Sequence, residues 1–213
     1  MSTATKWSKV AIAIQSALAA ADTITAITKA NPGVVSAAAH GMIAGAYAVH
    51  TIQGMHQLDD MVVRVANPAA GTYELEGLDT TAFDTFTSGT AQEITFGTSL
   101  TTATSVNASG GDFDFIDVTT IHDNVKKQIP GTANPATFSF ENIWDPADAG
   151  LLALKSASDT QAKRAIKFTF GNGKILVFTG YVGCSMLPTG GAQDVVKTSV
   201  VITMFGKPMV YNA

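Results

Sequence analysis

The sequence is short of the residues that most reaction chemistry needs. It holds one cysteine, Cys184, and four histidines in 213 residues. A lone thiol excludes an intramolecular disulfide framework and any thiolate cluster around a metal. Set among apolar residues in YVGCSM, it reads as an inert buried thiol. Charge is scarce too: Asp, Glu, Lys and Arg make up 14% of the chain, well under the usual quarter. Thr, Ser, Asn, Gln, Gly and Ala must then cover the surface. Such a surface buries against another protein with little charge to desolvate. Apolar runs fall far short of a membrane span, so no membrane partner is expected. Gln15 and Ser16 interrupt the apolar stretch of KWSKVAIAIQSALAAADT, and an ordinary export signal is not expected there.

The net charge of −4 hides a split. Residues 1–120 carry four Lys or Arg against eleven Asp or Glu, a balance of −7; residues 121–213 carry nine against six, a balance of +3. Neither half has the dense basic patch that tight nucleic-acid binding requires. Metal chemistry fares no better. His50 and His56 with Asp59 and Asp60 match no ordered zinc spacing. His40 in HGM and His56 in HQL suggest turn or surface positions. Hydrolysis by paired acids needs a fixed separation and one buried member, and Asp59–Asp60 and Asp112–Asp114 carry no sign of either. No GxSxG elbow occurs, and GNGK at 171–174 is an incomplete P-loop that reads as a hairpin turn. No catalytic residue, cofactor or metal is expected, and the chain reads as a non-enzyme.

What is present is β structure. Val10, Ile12 and Ile14 alternate with smaller or polar residues, the two-residue period of a strand. SALAAAD after them fits either an extended segment or a helical turn. NPG at 31–33 predicts a type II turn with Gly33 at positive φ. From there to about residue 90, turn signals recur: HG, QG, LDD, NPAAG, EG and SG at 88–89. MVVRVANPAAGTYEL predicts two strands joined by a five-residue loop. This spacing suggests a small β-rich subdomain over 31–90, inserted into a core made of 1–30 and 91–213. Residues 101–111 read as a flexible stretch. DFDFIDVTT alternates Phe113 and Phe115 with Asp112 and Asp114. HDNVKKQIPGTANP, broken by Pro130–Gly131 and Asn134–Pro135, predicts a long exposed loop projecting from the body.

One segment announces a helix. In FENIWDPADAGLLAL, Asp145 takes the N-cap position, Pro146 follows at N1, and Asp148 falls at N3. The predicted span is 146–157, with Leu151, Leu152 and Leu154 as its apolar stripe. Gly150 should weaken it by about 1 kcal/mol. RAIKFTFGNGKILVFTGYV then predicts a hairpin turning at GNG. DVVKTSVVITMFG predicts a long last strand, with Val196, Val200, Ile202 and Met204 on one face and Val201 and Phe205 on the other. Two-faced apolar strands need cover on both sides. Apolar surface left over would need a neighbouring copy.

In their order along the chain, DFIDVTTIHDNVKKQIPGTANPATFSFE, the WDPADAGLLAL helix and the ending KFTFGNGKILVFTGYVGCSMLP…DVVKTSVVITMFGKP resemble the major tail tube proteins of long-tailed bacteriophages. The stretch ITAITKANPGVVSAAAHGMIAGAYAVHTIQGM resembles a small β module of phage tail proteins. The resemblance implies a mainly β, sandwich- or barrel-like fold with one packed α-helix and a long projecting loop. It further implies a virion structural subunit forming stacked homo-oligomeric rings, commonly hexamers, around a tape measure protein, as the channel for DNA ejection. Other implied partners are the tail terminator, the baseplate or tail tip proteins, and DNA passing non-specifically, with assembly in the host cytoplasm. By position, His122, Asp123, Lys126, Lys127, Pro130 and Gly131 would lie in the loop between rings. Asp112 and Asp114 would face the lumen, their alternative being a solvated outer strand face. A virion adhesin or receptor-binding β protein is the other class considered.

Overall fold

The computed structural model describes residues 5–212. The first strands are β1 (Ala11–Ile14), β2 (Ala17–Leu18), β3 (Asp22–Ile24), β4 (Ala26–Ile27), β5 (Val34–Ser36) and β6 (Tyr47–Gln53). Then come β7 (Val62–Ala69), β8 (Thr72–Leu75), β9 (Ser88–Thr95), β10 (Thr98–Leu100) and β11 (Ala103–Ser109). β12 (Phe113–Asp117), β13 (Gln128–Ala133) and β14 (Thr137–Ile143) precede the helix α1 (Ala149–Asp159). β15 (Lys163–Thr169), β16 (Lys174–Cys184) and β17 (Lys197–Asn212) follow it. The chain is mainly β, with one α-helix among the described residues.

The body is a seven-stranded sheet in the order β10-β1-β15-β16-β17-β14-β11. Its centre is β16, the strand whose sequence is apolar on both faces. GNG closes the β15–β16 hairpin: the Phe170 N–H donates to the Lys174 carbonyl at 2.8 Å, and Gly173 takes φ 82°. The sheet's two edges, β10 and β11, are consecutive in the chain and joined only by Thr101 and Thr102. A sheet whose edges are chain neighbours must curl, and its concave side holds the core. Phe138 stacks on Phe178 at 5.0 Å and Phe140 on Phe168 at 5.9 Å. Ile12, Ile14, Ile166, Val200 and Ile202 fill in around these rings. Leu151, Leu154 and Ala157 of α1 close that core.

The helix starts later than its sequence predicts. Asp148, not Asp145, is the N-cap: its Oδ1 accepts the Leu151 N–H at 2.8 Å. Asp145 heads a preceding turn, accepting the Ala147 N–H at 2.9 Å. The deciding partner is tertiary, since Thr101 Oγ1 donates to Asp148 Oδ2 at 2.7 Å and ties the cap to the β10–β11 link. Leu152, expected in the apolar stripe, is exposed instead. Asp148→Ala should therefore lower stability by about 1–2 kcal/mol, while Asp145→Ala should stay within about 0.5 kcal/mol of the parent. Urea midpoints in the reverse order would refute this cap assignment.

The second unit is a small barrel. Its strands run β9-β6-β7-β8-β5-β4, and β3 pairs with β9 at the other end. β3 and β4 are separated by Thr25 alone, whose N–H donates to the Ser36 carbonyl at 2.8 Å. One nearly continuous segment thus joins both ends of the sheet and removes its free edges. This barrel draws on residues from Ala17 to Thr95. Inside lie Ile24, Val35, Ile52, Leu58, Val65 and Tyr73.

Several local readings change here. β7 runs through Asn67 and Pro68 to Ala69, so the expected five-residue loop is only Ala70 and Gly71; a register shift between Ala66 and Ala69 absorbs the proline. Ser88–Gly89 starts a strand instead of a turn, because Gly89 lets the backbone of Thr51 and Ile52 on β6 approach closely. Asn31–Pro32 is cis and Gly33 is not at positive φ, so NPG is not a type II turn. Residues 103–109, expected to be flexible, form β11 because β14 supplies a full ladder of partners.

A third, smaller core joins the two units: Tyr47, Val62 and Ile94 of the barrel meet Ala165, Val177 and Tyr211 of the body. Polar contacts fix the docking. Tyr211 Oη accepts the Arg64 N–H at 2.9 Å, Thr179 Oγ1 donates to the Asp60 carbonyl at 2.8 Å, and Lys163 pairs with Asp60 at 2.6 Å. This explains why β16 and β17 are apolar on both faces. One face meets the helix-side core, and part of the other meets the barrel.

Candidate assembly surfaces

Among the described residues, β12 and β13 pair with each other and with no other strand. The expected projecting loop is therefore a β-hairpin arm with a tip at 118–127. Pro130 and Gly131 do not end structure here, because Pro130 sits opposite Phe115 where the register shifts. Gly131, lacking Cβ, admits the Asp114 carbonyl. At the tip, Asp123 accepts from the Thr120 N–H at 3.0 Å and pairs with Lys127. The Lys127 ammonium, then the Thr120 donors, hold the Asp123 carboxyl below its ordinary range. The arm is a two-stranded hairpin with a hydrogen-bonded tip.

Its side chains are the unusual part. Phe113, Phe115, Ile116 and Ile129 are at least half exposed, Val125 is 74% exposed, and Ile121 is 97% exposed. A two-stranded hairpin is marginal in water and needs packing to be stable. No residue of the arm belongs to the cores described above. Contiguous apolar exposure of this kind marks an interaction surface.

The other candidate residues fall as follows. His122, Asp123, Lys126 and Lys127 lie in the tip; Asp112 immediately precedes β12, and Asp114 lies on it, its carboxylate accepting from Asn134 Nδ2 at 3.0 Å. The histidines expected at turns or on the surface divide. His56 and His122 are exposed, whereas His40 and His50 are buried. On β6 the alternation Ala48, His50, Ile52 faces the barrel interior, where His50 Nε2 meets Tyr73 Oη at 3.0 Å and Nδ1 lies 3.4 Å from the Met61 carbonyl. Asp59 accepts the Ile52 N–H at 2.8 Å, and Asp60 holds Lys163. Of the four groups weighed for a metal, His50, Asp59 and Asp60 are thus spent on separate structural tasks, and His56 is exposed. Among the described residues, no three His, Cys, Asp or Glu side chains form a metal-ligand group.

A further surface escaped sequence reasoning. Where the chain crosses from β10 to β11, the curled sheet stays open, leaving a groove of about 510 Å³. Its lining includes Trp7, Val10, Ile12, Leu100, Ala103 and Val106, and no lining residue is charged. Trp7 sits edge-on to Phe168 at 6.1 Å at one side of this seam. No sequence signal marked it, because residues 101–111 read as a flexible stretch.

A family model described as phage tail tube protein, TTP, matches residues 53–213. The chain belongs to that family. The match takes in the body from β10 onward, the whole arm, and the barrel from the last residue of β6. No curated protein matches the chain. Membership makes this a structural tail tube subunit, a component of the virion tail. No helix among the described residues is long and apolar enough to cross a membrane.

Proposed function

We propose that copies of this tail tube protein associate into closed rings, hexameric as in the family it resembles, which stack into a tube around a tape measure protein. The tube is then the channel for DNA ejection, ended by the tail terminator and by baseplate or tail tip proteins, and built in the host cytoplasm. Its role is assembly and passage, without turnover. The observation that carries this reading is the arm. Its strands and tip together expose seven large apolar side chains, including Val118 and Ile121, with no cover from the described residues of their own chain. Burying them against a neighbour returns about 25 cal/mol per Å² of apolar area. In this reading His122, Asp123, Lys126, Lys127, Pro130 and Gly131 lie between successive rings. Asp112 and Asp114 face the lumen, where carboxylates offer a phosphate chain no counterion-release attraction. The barrel is an inserted module carried by each ring; residues 17–95 bear eight acids against two bases, a balance of −6, and the remainder of the chain +2.

Replacing residues 118–127 by a two-residue Asn-Gly turn tests the reading. The tip adds nothing to the cores, so the urea midpoint should match the parent. In negative-stain images the parent should give rings and tubes, and the variant neither long tubes nor stacked rings. Tubes of parental length from the variant would remove the arm from assembly. A parent that forms only soluble trimers would favour the adhesin reading.

A further inference from the structure

We propose that Asn142 and Thr198 hold an internal water molecule at the end of the curled sheet, where β16 leaves it. The two residues are direct cross-strand partners on β14 and β17. They alternate with the buried Phe140 and Val200, so they continue the row of core-facing residues by one step. Asn142 is 0% exposed and Thr198 1%. Neither side chain finds a hydrogen-bond partner among the described residues: Asn142 Oδ1, Asn142 Nδ2 and Thr198 Oγ1 are all buried and unpaired. Thr102 Oγ1, on the link beside Ala103, is a fourth such atom. Protein interiors pair nearly all their polar atoms, with other protein groups or with ordered water.

Local structure makes the room. β16 ends at Cys184, opposite Val200, and Thr198 therefore has no β16 residue beside it. On the other flank Asn142 faces Ala103, which carries only a methyl group. A lost strand on one side and a small residue on the other leave space next to polar atoms, the setting in which internal water is held. The Trp144 indole N–H donates to the Met186 carbonyl at 2.9 Å, tying the segment that leaves β16 to the one that leads into α1.

Chemistry selects the ligand. The Asn142 amide has a donor and an acceptor unpaired at once, whichever way it is turned, and a threonine hydroxyl serves as either. A cation would engage the oxygens and leave Nδ2 unpaired; an anion would leave Oδ1 unpaired. Glu141 and Lys197, the charged neighbours of the two residues in the chain, pair with each other at 3.0 Å and offset no ion. Water both donates and accepts, and in an interior it makes about three hydrogen bonds. It thus links β14 to β17 at the level where β16 no longer supports them.

A crystal structure of the parent tests the site directly. It should show a solvent peak within about 3.2 Å of Thr198 Oγ1 and of an Asn142 amide atom. Crystals soaked in rubidium or bromide salts should show no anomalous peak there. A direct hydrogen bond between Asn142 and Thr198 without a solvent peak would overturn the site, and an anomalous peak would overturn water as its occupant. Urea denaturation gives a second readout. Asn142→Leu and Thr198→Val should each lower the folded-to-unfolded ratio about tenfold, because each leaves the other side chain and the water short of a partner. The double variant should lose clearly less than the product of the two, since both polar groups and the water depart together. Single substitutions that stabilise, or a double variant that loses the full product, would mean that no shared ligand joins the pair.

Discussion

Gly150→Ala should destabilise this protein by about 2 kcal/mol or more, although helix propensity alone assigns the change a gain of about 1 kcal/mol. Gly150 lies in the first turn of α1 and is buried. A Cβ there would stand 2.6 Å from Leu100 Cα, 2.7 Å from the Ser99 carbonyl and 3.0 Å from Asp148 Oδ1. The first two are backbone atoms of the edge strand β10, which cannot rotate away as a flexible side chain would. Relief requires lifting the helix from the sheet, and that loosens Leu151 and Leu154, both fully buried in the aromatic core. It also strains the hydrogen bond from Thr101 to the cap. Overpacking of this sort outweighs the smaller backbone-entropy gain. Urea denaturation of parent and variant decides the matter: a midpoint raised by the alanine would mean that the helix does not sit on β10 in this way.

Acid should weaken the barrel through His50, by about 3 kcal/mol in total. Burial pushes the His50 imidazole down from 6.5 to about 4, and the Met61 carbonyl opposes this only in part. In the unfolded chain the ring titrates near its ordinary value. Between those two values the unfolded state binds the proton and the folded state does not. Stability is therefore complete above about pH 6.5, falls as pH drops toward 4, and then stops depending on this group. His50→Gln keeps a donor or acceptor for Tyr73 but cannot take up a proton in this range. Its stability–pH curve should be flatter than the parent's between pH 6.5 and 4. Parallel curves would show that His50 does not govern acid sensitivity. Carboxylates shared by both proteins cancel in the comparison.

Both results turn on contacts between segments far apart in the chain, and the same holds for what the sequence left hidden. The two-residue alternation at 10–14, the GNG turn and the apolar faces of 174–184 were local signals, and each became the expected strand or hairpin. Pro130 and Gly131 misled for the converse reason. Their local preference is to break structure, but a register shift opposite Phe115 let pairing continue. The burial of His50 was hidden because nothing near it in sequence announces Tyr73 and Met61. For the helix, the signal was right about existence and wrong about its start by one turn, since Thr101 chose between two aspartates that are both competent caps.

The arm divides along the same line. That residues 122–135 project could be seen from their charged, turn-rich composition. That they form a hairpin exposing apolar side chains was a matter of cross-strand register, which composition does not encode. The groove was hidden altogether, because it exists only where the two edges of a curled sheet meet. By itself the sequence determined a β-rich, weakly charged chain with one capped helix, since these follow from residue type and short spacing. Tertiary structure decided the closed barrel, the buried histidine, the helix start and the open seam. Each of these depends on which distant backbone or side chain arrives to satisfy a polar group or fill a space.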